Sequence, residues 1–183
     1  MVMDDDFKRT YPEIDDWTDS RELLANARKQ AEERQLDDVF IVDIDSHISD
    51  GGNWPEIMDY VEDPVIREAA SAFGDGSKRG AFLNGANGLQ WQNVWGRIPH
   101  GQGLKEAVED SDVPREIVLA RRCIDQMGLD YQVVFPNAML FLGMHPVPEM
   151  EIHLATAYNR WLVERVLPED PRVKAMMYLP FNN

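Results

Sequence analysis

The chain has 183 residues, with 18 Lys and Arg against 33 Asp and Glu, and its formal net charge is −15 at pH 7. This acidic excess repels nucleic acid and anionic membranes, so we expect neither as a partner. Apolar residues make up 44% of the chain, which is enough for a core, and the acidic N-terminus is unlike a secretion signal. The composition predicts a cytoplasmic globular protein whose single cysteine, Cys123, excludes an intramolecular disulfide.

The first 36 residues predict an acidic N-terminal arm that ends in a helix. Asp19 followed by Glu22 has the pattern of a helix N-cap, and residues 21–35 are rich in helix formers with a narrow apolar stripe. We expect residues 37–183 to form one α/β domain.

Three short apolar runs in that domain predict β-strands, at 39–42, 131–135 and 173–179. Two amphipathic helices are predicted between these strands. One runs from Pro114 to a Gly128 cap before the second strand, and the other runs from Pro148 to about residue 166 before the third. Such alternation implies parallel strands with right-handed crossovers. Because three strands cannot close a barrel, the pattern predicts the N-terminal portion of a TIM-like (β/α)8 barrel.

An insertion at 49–112 interrupts the alternation after the first strand. It begins with two predicted short helices, at 56–62 and 65–73, and continues into a glycine-rich stretch at 74–103. Loops of that length in compact domains are often functional, so we interpret it as a lid. Three of its residues are candidates for contact with substrate: Trp91, Trp95 and His100.

The candidate chemistry lies at the end of the first strand. Asp43, Asp45 and His47 alternate, so they are predicted to share one face of the strand. A carboxylate and an imidazole two residues apart can bind one divalent ion, Zn²⁺ first, with Mn²⁺ or Fe²⁺ as alternatives. Asp43, one pleat deeper, is expected to orient these ligands without touching the ion. Taken alone, the same string also fits a solvated strand end.

The surrounding motifs resemble the amidohydrolase superfamily. Val-Asp-Ile-Asp-Ser-His at 42–47 is similar to the opening strand of its amidohydrolase-related branch, which includes the aminocarboxymuconate-semialdehyde and resorcylate decarboxylase relatives. Residues 128–136 resemble that branch's second strand, 157–162 its following helix, and 170–180 its third strand. The likeness leaves out the arm and the glycine-rich insertion.

The resemblance implies that Asp45 and His47 are metal ligands, with Asp in place of the commoner first His. The family's other ligands, including the strand-eight Asp that acts as acid or base, are expected beyond Asn183. The implied reaction is metal-assisted hydrolysis or nonoxidative decarboxylation of a small carboxylated or cyclic substrate. A dinuclear-metal oxygenase is a further possibility within the superfamily.

Other polar residues have two interpretations each. His145 and Asn137, after the second strand, could contact substrate, and His145 could equally be an ordinary loop residue. Glu149 and His153 are one helical turn apart, which suits a metal but is better explained by a solvated helix face. Cys123 is expected to be a small buried residue.

A three-stranded portion of a barrel should expose apolar faces and an unpaired edge at its third strand. We therefore expect either a homo-oligomer of a longer enzyme or a subunit completed by a complementary C-terminal chain. In the second case this chain has a partly structural role.

Overall fold

The computed structural model describes residues 18–48, 50–71, 108–109 and 112–182. Its helices and strands alternate along the chain: α1 Ser20–Glu33, β1 Val42–Ile48, α2 Trp54–Asp59, α3 Pro64–Ser71, α4 Arg115–Met127, β2 Tyr131–Pro136, α5 Pro148–Trp161 and β3 Val173–Ala175. Short 3₁₀ helices are also present: Leu36–Asp38, Asp50–Asn53 and Ala138–Met144. A π-helical turn, Leu162–Val166, follows α5.

The three strands form one parallel sheet in the order β1–β2–β3. The predicted strand–helix alternation is therefore confirmed as a mixed α/β fold with a small parallel sheet. Parallel strands need long crossover connections, and α5 provides one between β2 and β3. The complete (β/α)8 barrel remains a prediction.

Two predicted helix ends have the expected caps. The Asp19 carboxylate accepts the Arg21 backbone N–H at 2.8 Å at the start of α1. Gly128 ends α4 in the left-handed conformation, with φ of 70°. A Cβ at Gly128 would lie 3.0 Å from the Asp37 carboxylate, so the position is also crowded. The turn at Gly128 therefore packs against the segment that follows α1.

The hydrophobic core lies on one side of the sheet, between the strands and the helices. Trp54, Tyr158 and Trp161 are its largest members, and each is at most 1% exposed. From the sheet, Val134 and Val173 point into this core. The other side, which we call the open face, carries Ile44, which is 70% exposed. Parallel sheets are normally covered on both faces, so the expected exposed apolar face is confirmed.

The N-terminal end of the sheet is closed by ion pairs. Asp170, just before β3, is 5% exposed and accepts the Arg172 backbone N–H at 2.9 Å and its Nη2 at 2.8 Å. Arg121 Nε lies 3.4 Å from the same carboxylate. Hydrogen bonds from Arg172 hold the pKa of Asp170 at about 2. Arg172 also binds Asp125 at 2.6 Å, so the cluster joins β3 to α4.

The bounds of two strands differ from the predictions. The first strand is Val42–Ile48, so the acidic residues lie within it, and Phe40 before it is 71% exposed. The third strand ends at Ala175, not at residue 179. There the Asn159 side chain accepts the Tyr178 N–H at 2.9 Å and donates to the Tyr178 carbonyl at 2.8 Å. The Asn159 side chain thus binds the backbone groups of Tyr178 that would otherwise pair with a neighbouring strand.

The helices of the predicted insertion begin one or two residues earlier than predicted. The first is Trp54–Asp59 and the second begins at Pro64, where the Asp63 carboxylate accepts the Val65 and Ile66 N–H groups at 2.8 and 3.0 Å. The glycine-rich part of the insertion lies outside the described residues. Within the described ranges, no helix combines the length and the apolar character that crossing a membrane requires.

Candidate functional site

A β-bulge in β1 determines which side chains face which way. Asp43 pairs with Gln132 of β2, whereas Ser46 pairs with Val134, so two residues of β1 oppose one residue of β2. The extra residue breaks the simple alternation of the strand. The prediction that Asp43 shares a face with Asp45 and His47 is therefore wrong: Asp43 is on the core side with Gln132.

The Asp43 carboxylate is held by donors on three sides. It accepts the Asp45 backbone N–H at 3.0 Å, the Ser46 hydroxyl, and the Gln132 Nε2 at 3.4 Å. The Ser46 hydroxyl, with the Asp45 N–H, lowers the pKa of Asp43 below its ordinary value. These bonds tie the two ends of the bulge to β2.

His47 lies on the open face with one ring nitrogen fixed. Its Nδ1 is 3.3 Å from the Pro136 carbonyl oxygen, and its ring centroid is 6.0 Å from that of Phe135, its partner in the register. Because a carbonyl can only accept, this hydrogen bond requires the proton on Nδ1. In the neutral ring, Nε2 then presents a lone pair, which is the arrangement of many metal-bound histidines.

Asp45 is two residues from His47 and is exposed, as His47 is. Across residues 18–48, 50–71 and 112–182, no donor or cation binds the Asp45 carboxylate in the structure. A carboxylate and an imidazole two residues apart on a strand suit a divalent ion of borderline softness. The donor chemistry of the pair thus fits the predicted metal, as two ligands of a larger set.

Two buried carboxyl groups support the loops beside this pair. Asp50, which is fully buried, accepts the Asn137 N–H at 3.2 Å and the Met139 N–H at 2.8 Å. The contact joins the segment after β1 to the segment after β2. It places the predicted substrate-contact residue Asn137, which is exposed, directly after the end of β2.

Glu151 is the second buried carboxyl group, in the first turn of α5. It is fully buried and accepts the Phe181 N–H at 3.0 Å and the Asn182 side-chain amide at 2.9 Å. The same amide donates to the Gly143 carbonyl at 2.7 Å. A Cβ at Gly143 would lie 2.9 Å from the Tyr178 hydroxyl, so a side chain at this position would collide with that hydroxyl. Glu151 therefore fixes the segments that follow β2 and β3.

His145 is half-buried in the segment after β2. The Val147 N–H donates to its Nδ1 at 3.1 Å. The Val147 carbonyl oxygen lies 3.3 Å from the same Nδ1, so this nitrogen accepts from or donates to Val147 according to the tautomer. The predicted contact of His145 with substrate stays a prediction.

Of the remaining predicted residues, Cys123 lines a cavity together with His47, and His153 lies on α5. His153 acts electrostatically on Glu62 and Asp63, at the turn between α2 and α3, which supports the interpretation of a helix face. Cys123 is half-buried, not fully buried as expected, and lines a cavity of about 150 Å³ between α4 and the strands. Trp91, Trp95 and His100 lie outside the described residues.

The part of the chain that the structure describes contains no cluster of three or more His, Cys, Asp or Glu side chains arranged to hold a metal ion. The chain matches no protein-family model, no curated protein and no solved structure. The resemblance to the amidohydrolases therefore rests on the sequence motifs alone.

Three features of the site were not predicted from the sequence: the bulge, the Pro136 carbonyl that orients His47, and the buried carboxyl groups. One of them had a signal. Glu151 precedes the buried Leu154, Ala155 and Tyr158 at helical spacing, so it falls on the buried stripe of α5. A glutamate on such a stripe needs donors, and the structure provides them.

Proposed function

We propose that Asp45 and His47 are two ligands of a divalent transition metal, Zn²⁺ first and Mn²⁺ or Fe²⁺ as alternatives, in a metal-dependent hydrolase or carboxy-lyase of amidohydrolase type. The observation that carries the proposal is the His47 ring, whose Nδ1 lies 3.3 Å from the Pro136 carbonyl oxygen, which leaves Nε2 as the nitrogen for a ligand, two residues from the exposed Asp45. The substrate class that accompanies it is a small carboxylated or cyclic molecule.

The position of the pair supports a catalytic role. Asp45 and His47 lie towards the C-terminal end of β1, and parallel α/β folds place their chemistry at that end. The bound metal would supply Lewis-acid chemistry, polarising a carbonyl group or lowering the pKa of a water. The chain's own contribution is to hold the imidazole in the ligating tautomer and to keep the Asp45 carboxylate without a competing cation.

Binding is tested on the full chain with Zn²⁺ and Mn²⁺. We expect Mn²⁺, which is paramagnetic, to broaden the NMR signals of Asp45 and His47 and their neighbour Phe135, and Zn²⁺ to compete for the same site. Asp45→Asn with His47→Ala should abolish both effects. His153→Ala is the matched control, since it removes a histidine elsewhere, and it should leave them unchanged. Broadening that survives the double substitution would refute the site.

A second proposal is favoured by the open face of the sheet. Ile44 is 70% exposed and Met176, which continues β3, is 46% exposed. Apolar residues on a parallel sheet are normally covered, so further strands are expected to pack here, from the same polypeptide or from a complementary chain. In that case this chain is a partly structural subunit of the enzyme. Native mass spectrometry of the protein from its own source would reveal a second polypeptide together with any bound metal.

A further inference from the structure

We propose that the β-bulge at Ile44 and Asp45, held by the Asp43 carboxylate, turns Asp43 away from the face that Asp45 shares with His47, and that Asp43 is a positioning residue and not a metal ligand. The inference rests on the proposed function, in which Asp45 and His47 bind a divalent ion. It gives a structural basis to the expectation that Asp43 orients the two ligands without touching the ion.

The register shows what the bulge changes. In a strand without it, Asp43, Asp45 and His47 would alternate onto one face and offer an ion two carboxylates and an imidazole. In the structure, Asp43 and Ser46 instead lie opposite Gln132 and Val134, whose side chains are buried on the core side. One extra residue therefore separates Asp43 from the other two.

The hydrogen bonds show what maintains the bulge. Each oxygen of Asp43 accepts at least one donor: Oδ1 accepts the Asp45 backbone N–H at 3.0 Å, and Oδ2 accepts the Ser46 hydroxyl and the Gln132 amide. The Asp45 N–H lies inside the bulge, where the extra residue has no place in the regular ladder. The carboxylate thus replaces the missing ladder partner and links the bulge to β2.

The same bonds separate the role of Asp43 from that of a ligand. Its oxygens are directed at N–H and O–H donors on the core side, whereas the Asp45 carboxylate has no such donor among the described residues. Binding a cation at Asp43 would break the contacts that form the bulge. Bulges near active sites commonly change the direction of one side chain in this way.

The test uses two readouts on the full chain. The first is hydrogen exchange of the Asp45 amide without metal, and the second is the Mn²⁺ concentration that broadens the His47 signal. Asp43→Ala should speed the exchange at least about tenfold, because the amide loses its acceptor. It should also raise the Mn²⁺ concentration required by about tenfold or more, as for other residues that support metal ligands. Asp38→Ala, at an exposed carboxylate nearby, is the control and should change neither.

A conservative variant separates positioning from ligation. Asp43→Asn keeps one oxygen that can accept the Asp45 N–H, so it should retain most of the Mn²⁺ response. If Asp43→Asn abolishes the response as completely as Asp45→Asn while the exchange stays slow, Asp43 is a ligand and the inference is wrong. Unchanged exchange in Asp43→Ala, or fast exchange with undiminished Mn²⁺ binding, would overturn it as well.

The failure of the proposed function has a different signature. A wild-type chain whose Asp45 and His47 signals do not respond to Mn²⁺ or Zn²⁺ would refute the metal site, and the positioning role would be refuted with it. A normal wild-type response that both Asp43 variants retain in full refutes the positioning role alone.

Discussion

The two ends of the sheet hold their carboxylates in opposite ways. At the N-terminal end, Asp170 is 5% exposed and is surrounded by donors from Arg172 and Arg121. At the C-terminal end, Asp45 is exposed, and no cation pairs with it in the described part of the chain. The first arrangement stabilises the fold. The second makes no ion pair with the described residues, which agrees with the ligand role proposed for Asp45.

The C-terminal end also has carboxyl groups that are fully satisfied. Asp50 and Glu151 are both buried and bind backbone N–H groups of the segments that follow β2 and β3. The loops after β2 and β3 are therefore fixed, while the Asp45 side chain has no partner among the residues that the structure describes. The following predictions test this contrast between the buried, hydrogen-bonded carboxyl groups and the exposed Asp45 carboxylate.

Glu151→Ala should have the largest effect on stability. It removes a buried carboxyl group, leaves the Phe181 N–H without its acceptor and takes away one of the two acceptors of the Asn182 amide. We expect the free energy of unfolding to fall by about 3 kcal/mol, the range observed when one partner of a buried polar network is removed. Urea denaturation followed by circular dichroism measures the change.

Glu149→Ala is the control for this prediction, because Glu149 is exposed and lies in the same turn of α5. We expect a change within about 0.5 kcal/mol. Equal losses in the two variants would mean that the buried hydrogen bonds of Glu151 do not hold the segments after β2 and β3.

Asp170→Asn should have the next largest effect, and a dependence on pH. The pKa of Asp170 is about 2 in the folded chain and has an ordinary value of 3.8, so the folded state favours the charged form. This contribution is complete above about pH 5 and is lost as the pH falls towards 2; its size is about 2 kcal/mol. Denaturation at pH 7 and at pH 2.5 should show a large difference between variant and wild type only at pH 7.

Asp45→Asn makes the same change at the opposite end of the sheet. Because the Asp45 carboxylate is exposed and unpaired in the described structure, we expect the metal-free chain to change by less than about 0.5 kcal/mol at pH 7. A loss at Asp45 as large as that at Asp170 would contradict the distinction between the two ends.

The sequence predicted the parallel sheet because alternating strands and helices leave few topologies. It could not predict where β3 ends. Met176, Met177 and Leu179 have strand-like composition, but the backbone at Tyr178 is bound by the Asn159 side chain from α5. That contact joins residues far apart in the chain, and no local pattern contains it.

The metal site stays a prediction, and only part of its geometry follows from the sequence. The alternation of β1 predicts that Asp45 and His47 share a face, and in the structure both are exposed on either side of the less exposed Ser46. The bulge at their N-terminal side is one residue long, and periodicity over so short a segment cannot reveal it. It depends on the pairing with Gln132 and on the hydrogen bonds of Asp43.

Ile44→Thr should have the smallest effect on stability and a visible effect on association. The side chain is 70% exposed on the open face, and threonine keeps the β-branched shape, so we expect a change below about 0.5 kcal/mol in the isolated chain. Ile48→Thr, on the same strand but 3% exposed, should cost about 2 kcal/mol because it places a hydroxyl in the core. Sedimentation velocity should show weaker self-association for Ile44→Thr. If Ile44→Thr costs as much as Ile48→Thr, the open face is covered in solution, and the uncovered sheet that supports the second proposal does not exist in the free chain.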